Sequence, residues 1–242
     1  MGERIFLLDI GNTNTRCGLF ADGEFVNVFN KPTKELDSSD IPDNIPVAAA
    51  TVVPAIIEKL NRKDIYYISH LSNSGIDLSL VDGAALGADR LANLTALATI
   101  SELPAAIIDC GTALTLEALD EKKRFAGGII APGRDLQRRA LNAYTALLPY
   151  LPVDEYCIGY KTFGRNTEDS IIIGTDYGII GAVKEFMEVT RKELDTNNVK
   201  FYVTGGDAEM LARNIPKLKM VSQNFTLLGV LEIWRRSVGK KK

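Results

Sequence analysis

The sequence predicts an α/β protein built from two related lobes, and three observations carry that reading. Residues 6–20 read as strand, polar turn and strand around Asp9-Ile10-Gly11-Asn12-Thr13-Asn14-Thr15-Arg16. The same design returns over residues 105–119 around Asp109-Cys110-Gly111-Thr112. At an offset of 100, Asp9 matches Asp109, Gly11 matches Gly111, Thr15 matches Thr115, Leu19 matches Leu119 and Phe25 matches Phe125. Helical periodicity follows each set of strands, so each copy is a β-β-β-α unit, the mark of an internal duplication. Pro104 ends the first copy and gives lobes 1–104 and 105–242.

Each element has a local reason. Residues 6–10 are an apolar strand, and the turn after it holds a carboxylate, a glycine and small hydroxyl or amide side chains. Asp22-Gly23 turns the chain into a third strand over 23–29. Residues 30–46 are polar and proline-punctuated, a connection. The small-apolar run 47–53 is a buried strand, and Pro54 suits the first turn of a helix over 55–61. Residues 65–69 form another strand. His70, the only histidine, has no second metal-type ligand nearby and reads as a loop or core residue. After irregular residues 71–86, a helix over 88–100 puts Leu91, Leu94, Leu97 and Ala98 on one face.

In the second copy, Gly127-Gly128 and Pro132-Gly133 form a glycine-rich closing loop before a helix over 134–147, and 149–165 is a connection. Asn166-Thr167 caps a long helix to 194, with Glu168 and Asp169 in its first turn as the helix dipole favours. Gly174, Gly178 and Gly181 inside it imply close approach of another helix across a subunit interface, since each costs about 1 kcal/mol relative to alanine. A strand over 200–204 ends at Gly205-Gly206, a short helix covers 207–214, and a last helix over 226–237 buries Leu227, Leu228, Val230, Leu231 and Trp234.

Composition excludes several function classes. At 242 residues, 46% hydrophobic and 24% charged, the chain has ample material for a soluble core. A net charge of −3 supplies no global basic field for nucleic acid, and the basic end, Arg235-Arg236 and Lys240 to Lys242, reads as a solvated tail. No apolar run approaches a membrane span, and the N-terminus passes straight into a strand without a secretory pattern. Cys17, Cys110 and Cys157 are odd in number and widely spaced, so reduced thiols in a cytoplasmic protein are the economical reading.

Small side chains at the Asp9 turn let backbone N–H groups approach an anion, and Asp9 is a hard oxygen ligand suited to Mg²⁺. Read locally, a phosphate site and a β-hairpin with an Asx-type turn stand level. Duplication tips the balance, because two carboxylate-bearing turns facing one cleft suit nucleotide phosphates and cations. No Walker, Rossmann or metalloprotease motif is present.

The ordered series Asp9-Ile10-Gly11-Asn12-Thr13-Asn14, Gly87-Ala88-Asp89-Arg90, Asp109-Cys110-Gly111-Thr112-Ala113, Gly127-Gly128 with Pro132-Gly133, Asn166-Thr167 and Thr204-Gly205-Gly206-Asp207-Ala208 resembles the bacterial type III pantothenate kinases of the actin/hexokinase/Hsp70 superfamily. The likeness spans nearly the whole chain, and the specificity lies in the ordered set. It implies two ribonuclease-H-like lobes of the actin-like ATPase fold, with mixed sheets flanked by helices. It also implies ATP-dependent phosphorylation of pantothenate, the first step of coenzyme A biosynthesis, by a homodimer with the pantothenate pocket at the subunit interface.

Carried over by residue, Asp9, Ile10, Gly11, Asn12, Thr13, Asn14, Thr15 and Arg16 would hold the ATP phosphates, with Asp9 on Mg²⁺. Asp89 would be the general base, and Gly87, Ala88 and Arg90 would line the substrate site. Asp109 would bind a monovalent cation, K⁺ or NH₄⁺, Thr112 would touch ATP, and Thr167 would contact pantothenate. Read locally instead, Asp89 favours a helix N-terminus, Arg90 pairs on the surface, Asp109 forms a turn and Thr167 caps a helix. Two departures stand out. Leu80 and Gly83 occupy the places of a family tyrosine and proline that line the substrate pocket, and Glu117 stands where the family has aspartate. The rival readings are a non-catalytic kinase-fold homologue with a regulatory or accessory role, and, ranked last, a sugar or small-polyol kinase.

Overall fold

The computed structural model describes residues 2–153 and 162–238; Cys157 and part of the expected connection 149–165 lie outside them. The strands are β1 (Arg4–Ile10), β2 (Asn14–Ala21), β3 (Glu24–Pro32), β4 (Val47–Thr51), β5 (Ile65–Tyr67), β6 (Ala105–Cys110), β7 (Ala113–Leu119), β8 (Phe125–Pro132), β9 (Lys200–Thr204) and β10 (Leu218–Met220). The helices are α1 (Pro54–Leu60), α2 (Ala88–Ile100), α3 (Arg134–Ala143), α4 (Thr167–Glu193), α5 (Ala208–Asn214) and α6 (Phe225–Val238). The chain divides into two compact units. One comprises the residues up to Ser101, Glu121–Phe125 and the chain from Asn224; the other is Glu102–Asp120 with Ala126–Gln223. Helix α6, which the sequence reading gave to lobe 105–242, is therefore part of the first unit.

The first sheet runs β3-β2-β1-β4-β5 and the second β10-β9-β6-β7-β8, which is the same order read from the opposite edge. In both, the first strand pairs antiparallel with its hairpin partner and parallel with the strand on its other side. This common topology is what an internal duplication leaves behind. The offset of 100 needs one correction. Asp9 pairs with Arg16 across the first hairpin and Asp109 with Thr115 across the second, so beyond the turn the two copies correspond at 99. Thr15 then matches Leu114, both buried, rather than Thr115. A slip of one residue reverses every side chain between faces, so burial decides the register.

Central strand β1 is buried on both faces. Ile5 and Leu7 pack with α2 and α6 residues such as Leu91, Val230 and Leu231. Phe6, Leu8 and Ile10 pack on the other face with Ile56 and Leu60 of α1. Period-two alternation assigns Asp9 to the Leu7 face, the side covered by α2 and α6. Those helices meet backbone to backbone: a Cβ at Gly229 would stand 1.9 Å from the Ala92 carbonyl oxygen, so only glycine fits. In the second unit, Ala106, Ile108 and Cys110 of β6 pack against Ile179, Val183 and Met187 of α4 and Met210 and Leu211 of α5.

Candidate active site

The first turn is closed from within. The Gly11 N–H donates to the Asn14 carbonyl at 3.1 Å, and the Thr33 N–H donates to the Thr13 carbonyl at 2.9 Å. Thr33 Oγ1 donates to the Gly11 carbonyl at 2.7 Å and lies 3.0 Å from Thr15 Oγ1. Because a hydroxyl has one proton, Thr15 is the donor in that last pair. The side chains of Ile10 and Thr15 are buried, which leaves their backbone groups as what they could offer a ligand. Asn12, Thr13 and Asn14 are exposed, while Asp9, Gly11 and Arg16 are half-buried. Arg16 donates from Nε and Nη2 to Asn224 Oδ1, at 2.8 and 2.6 Å, and from Nη1 to Asn30 Oδ1 at 3.1 Å. Burial presses the guanidinium pKa down and the Asp9 carboxylate opposes that shift.

The Gly87-Ala88-Asp89-Arg90 segment starts α2, on the same sheet face as Asp9. The Val52 N–H, just past β4, donates to the Ile10 carbonyl at 3.2 Å. Val52 Cγ1 in turn would lie 3.5 Å from a Cβ placed on Gly87. The turn and the start of α2 are thereby tied to one short stretch. That Cβ would also stand 2.6 Å from Asp89 Oδ1, so Gly87 makes room for the carboxylate. Asp89 Oδ1 accepts the Arg90 N–H at 2.7 Å. Burial nevertheless pushes the Asp89 carboxyl above the usual carboxylate range, against the lowering pull of Arg90. Ala88 is buried, and the Arg90 guanidinium carbon lies 5.9 Å from the Phe125 ring centroid. Leu80 is 52% exposed on the loop before α2, and a Cβ at Gly83 would meet the Leu78 side chain at 3.1 Å.

The second turn is exposed at Gly111 and Thr112 but is approached closely by two further glycines. The Gly111 N–H donates to the Ala113 carbonyl and the Gly133 N–H to the Thr112 carbonyl, each at 3.0 Å. A Cβ on Gly133 would collide with the Gly111 carbonyl oxygen at 2.1 Å. Gly205 has φ +94°, and a Cβ there would stand 2.5 Å from the Cys110 carbonyl oxygen and 2.7 Å from Asp109 Oδ1. Asp109 is half-buried and Thr112 exposed. Glu117 is fully buried and accepts from Thr115 Oγ1 at 3.1 Å.

Sequence reasoning missed the charged network beside this turn. Arg134 donates to Asp207 at 2.6 Å and to Asp176 at 3.1 Å, and Arg138 donates to the same Asp176 oxygen at 3.1 Å. Arg134, Arg138 and Asp176 are buried. The available signal was two arginines four apart on one helix, a repulsive pair unless they share an acid.

Thr167 begins α4, whose N-cap Asn166 accepts the Asp169 N–H at 2.8 Å. It borders a groove of about 770 Å³ with Leu136, Leu141 and Tyr144 of the α3 region and Gly174 of α4. Gly174, Gly178 and Gly181 are exposed; among the described residues a Cβ at Gly174 or Gly181 would meet nothing within 4 Å outside its own helix, and one at Gly178 would meet only Gln137 Oε1 of α3, at 3.9 Å. Among the described residues, no three His, Cys, Asp or Glu side chains are grouped to hold a metal. No helix among them is long and apolar enough to cross a membrane.

A family model described as type III pantothenate kinase matches residues 5–189. A type III pantothenate kinase of Methylacidiphilum infernorum is 31% identical, covering 98% of this chain and 90% of that protein. One of Akkermansia muciniphila is 29% identical over 93% of this chain and 95% of its own length. Among solved structures, a Campylobacter jejuni protein described as a Baf family transcriptional activator superposes with TM-score 0.66 at 22% identity, covering 95% of this chain and 97% of its own. Component A of (R)-2-hydroxyglutaryl-CoA dehydratase from Acidaminococcus fermentans superposes with TM-score 0.56 at 13% identity, covering 99% and 100%. At those identities the structures speak to fold alone, and the fold is that of the actin-like ATPases.

Proposed function

The chain belongs to the type III pantothenate kinase family, whose members phosphorylate pantothenate in coenzyme A biosynthesis, and from that premise we propose how its residues divide the reaction. The observation that carries the assignment is that α2, whose first turn holds Asp89, packs on the sheet face of Asp9, with Val52 beside both Ile10 and Gly87. The Asp9–Arg16 turn holds the ATP phosphates, with the N-termini of α2 and α6 adding a favourable field for anions. Asp89 accepts the proton of the pantothenate hydroxyl while that oxygen bonds the γ-phosphorus and the bond to ADP breaks. Gly87 and Ala88 shape the pocket, and Arg90 offers a forked donor to the pantothenate carboxylate.

The donor chemistry at Asp9 fits Mg²⁺. Mg²⁺ is commonly held by one or two carboxylates plus substrate phosphates, so Asp9 suffices without a preformed cage. Bound there, it would neutralise phosphoryl charge. Asp109 would hold the monovalent cation and Thr112 would touch ATP. Thr167 reaches pantothenate from the rim of the α3–α4 groove. The homodimer uses the exposed glycine face of α4, and the compartment is the cytoplasm. Sedimentation showing a monomer at micromolar concentration would remove the dimer.

The deciding assay is ADP release that depends on pantothenate. Asp89→Asn should lower kcat by about 10²–10⁴-fold. Undiminished turnover overturns the base assignment, and a wild type without turnover favours the non-catalytic homologue. Because burial raises the Asp89 pKa, kcat/KM should fall on the acid side at a pH above the ordinary aspartate range. A raised pKa contributes stability at low pH that is lost as pH rises through the folded value. Asp89→Asn should therefore melt no lower than wild type at neutral pH.

A further inference from the structure

Arg16 is held by oxygens that carry no charge. Two of its donors converge on Asn224 Oδ1 and a third meets Asn30 Oδ1. Asn30 is the residue opposite Arg16 on β3, and Asn224 immediately precedes α6, 208 positions along the chain. An amide oxygen accepts an N–H as a carboxylate oxygen does, but it adds no negative charge to that of the Asp9 carboxylate, which acts on the guanidinium from across the hairpin. Three of the five guanidinium donors are thus fixed by acceptors that take away none of its charge. A carboxylate at either position would orient the group as well and cancel much of what it offers.

Resting on the reading of the turn as the ATP-phosphate site, we propose that Asn224 is a positioning residue for the kinase reaction: it orients Arg16 toward the nucleotide phosphates and, being neutral, preserves the charge that binds them. Two substitutions separate orientation from charge. Asn224→Ala removes the acceptor and frees the guanidinium. Asn224→Asp keeps the acceptor and neutralises its partner.

Steady-state kinetics with ATP and pantothenate varied in turn, with melting temperatures for every variant, tests this. Asn224→Ala should raise KM for ATP by about tenfold, the effect of a lost hydrogen bond to a charged group, and leave KM for pantothenate unchanged. Asn224→Asp should melt as wild type and still show the raised KM for ATP. A role confined to packing predicts the reverse, full rescue by aspartate, and that result overturns the proposal. In an Arg16→Ala background, Asn224→Ala should add less than about twofold, and full additivity also overturns it. Arg16→Ala with an unchanged KM for ATP withdraws the phosphate-turn reading itself, an outcome distinct from rescue by aspartate.

Discussion

The two Asp-x-Gly turns stand at the same place in sheets of the same strand order, yet their surroundings use arginine in opposite ways. Beside the first turn, Arg16 is half-buried and held by amide oxygens of Asn30 and Asn224. Beside the second, Arg134 is buried and held by the carboxylates of Asp176 and Asp207. The first arrangement holds its charge near solvent with neutral acceptors, and the Asp9 carboxylate acts on it from across the hairpin. The second cancels it inside the protein, binding α3, α4 and the start of α5 together. Glycine use follows the same division. A Cβ at Gly11 would meet only the Asn14 carbonyl oxygen, at 3.1 Å, whereas Gly133 and Gly205 lie against backbone with no room for one. The second turn is flanked by backbone at Gly133 and Gly205, while its own Gly111 is exposed, with a Cβ there no nearer than 4.0 Å to the Ala113 carbonyl oxygen.

Substitutions can break this contrast, beginning with the largest effect. Arg134→Ala leaves the buried Asp176 and the half-buried Asp207 without this partner and should lower unfolding stability by about 3–5 kcal/mol in urea titration. A loss under about 1 kcal/mol would place Arg134 with the surface ion pairs and dissolve the distinction. Gly205→Ala forces a side chain into positive φ and into the Cys110 carbonyl, at an expected cost of about 1–3 kcal/mol. Gly11→Ala, in the first turn itself, should cost less than about 1 kcal/mol by the same titration. Equal losses at the two glycines would show that the turns are packed alike.

Much of this was legible in the sequence. The continuous apolar runs gave β1 and β6, the helical spacing gave α2 over its full length, and Asn166 marked the start of α4 by ordinary capping chemistry. The matched aspartates disclosed the duplication because each lies on a strand ahead of its turn, where turn length has no effect. Beyond the turn the offset failed, since the second turn is one residue shorter and alternation alone does not count loop residues. Strand β10 is only three residues long, too short for a period to register. Nothing local ties Asn224 to Arg16, because the contact exists only once α6 has joined the first sheet. The buried arginines escaped for a different reason: arginine is read as a surface residue unless a partner is visible, and Asp176 and Asp207 come from other elements.

The membership of α6 in the first unit also sets an order of assembly. Leu227, Val230, Leu231 and Ile233 complete the face of the first sheet that Leu7 and Leu91 begin. A nascent chain presents β1 to the ribosome exit early and α6 late, so that apolar face stays uncovered throughout synthesis of the intervening residues. The second unit, gathered from a nearly contiguous stretch, has all of its parts sooner. The half of the protein made first is thus the half finished last, and the wait falls on the sheet that carries Asp9.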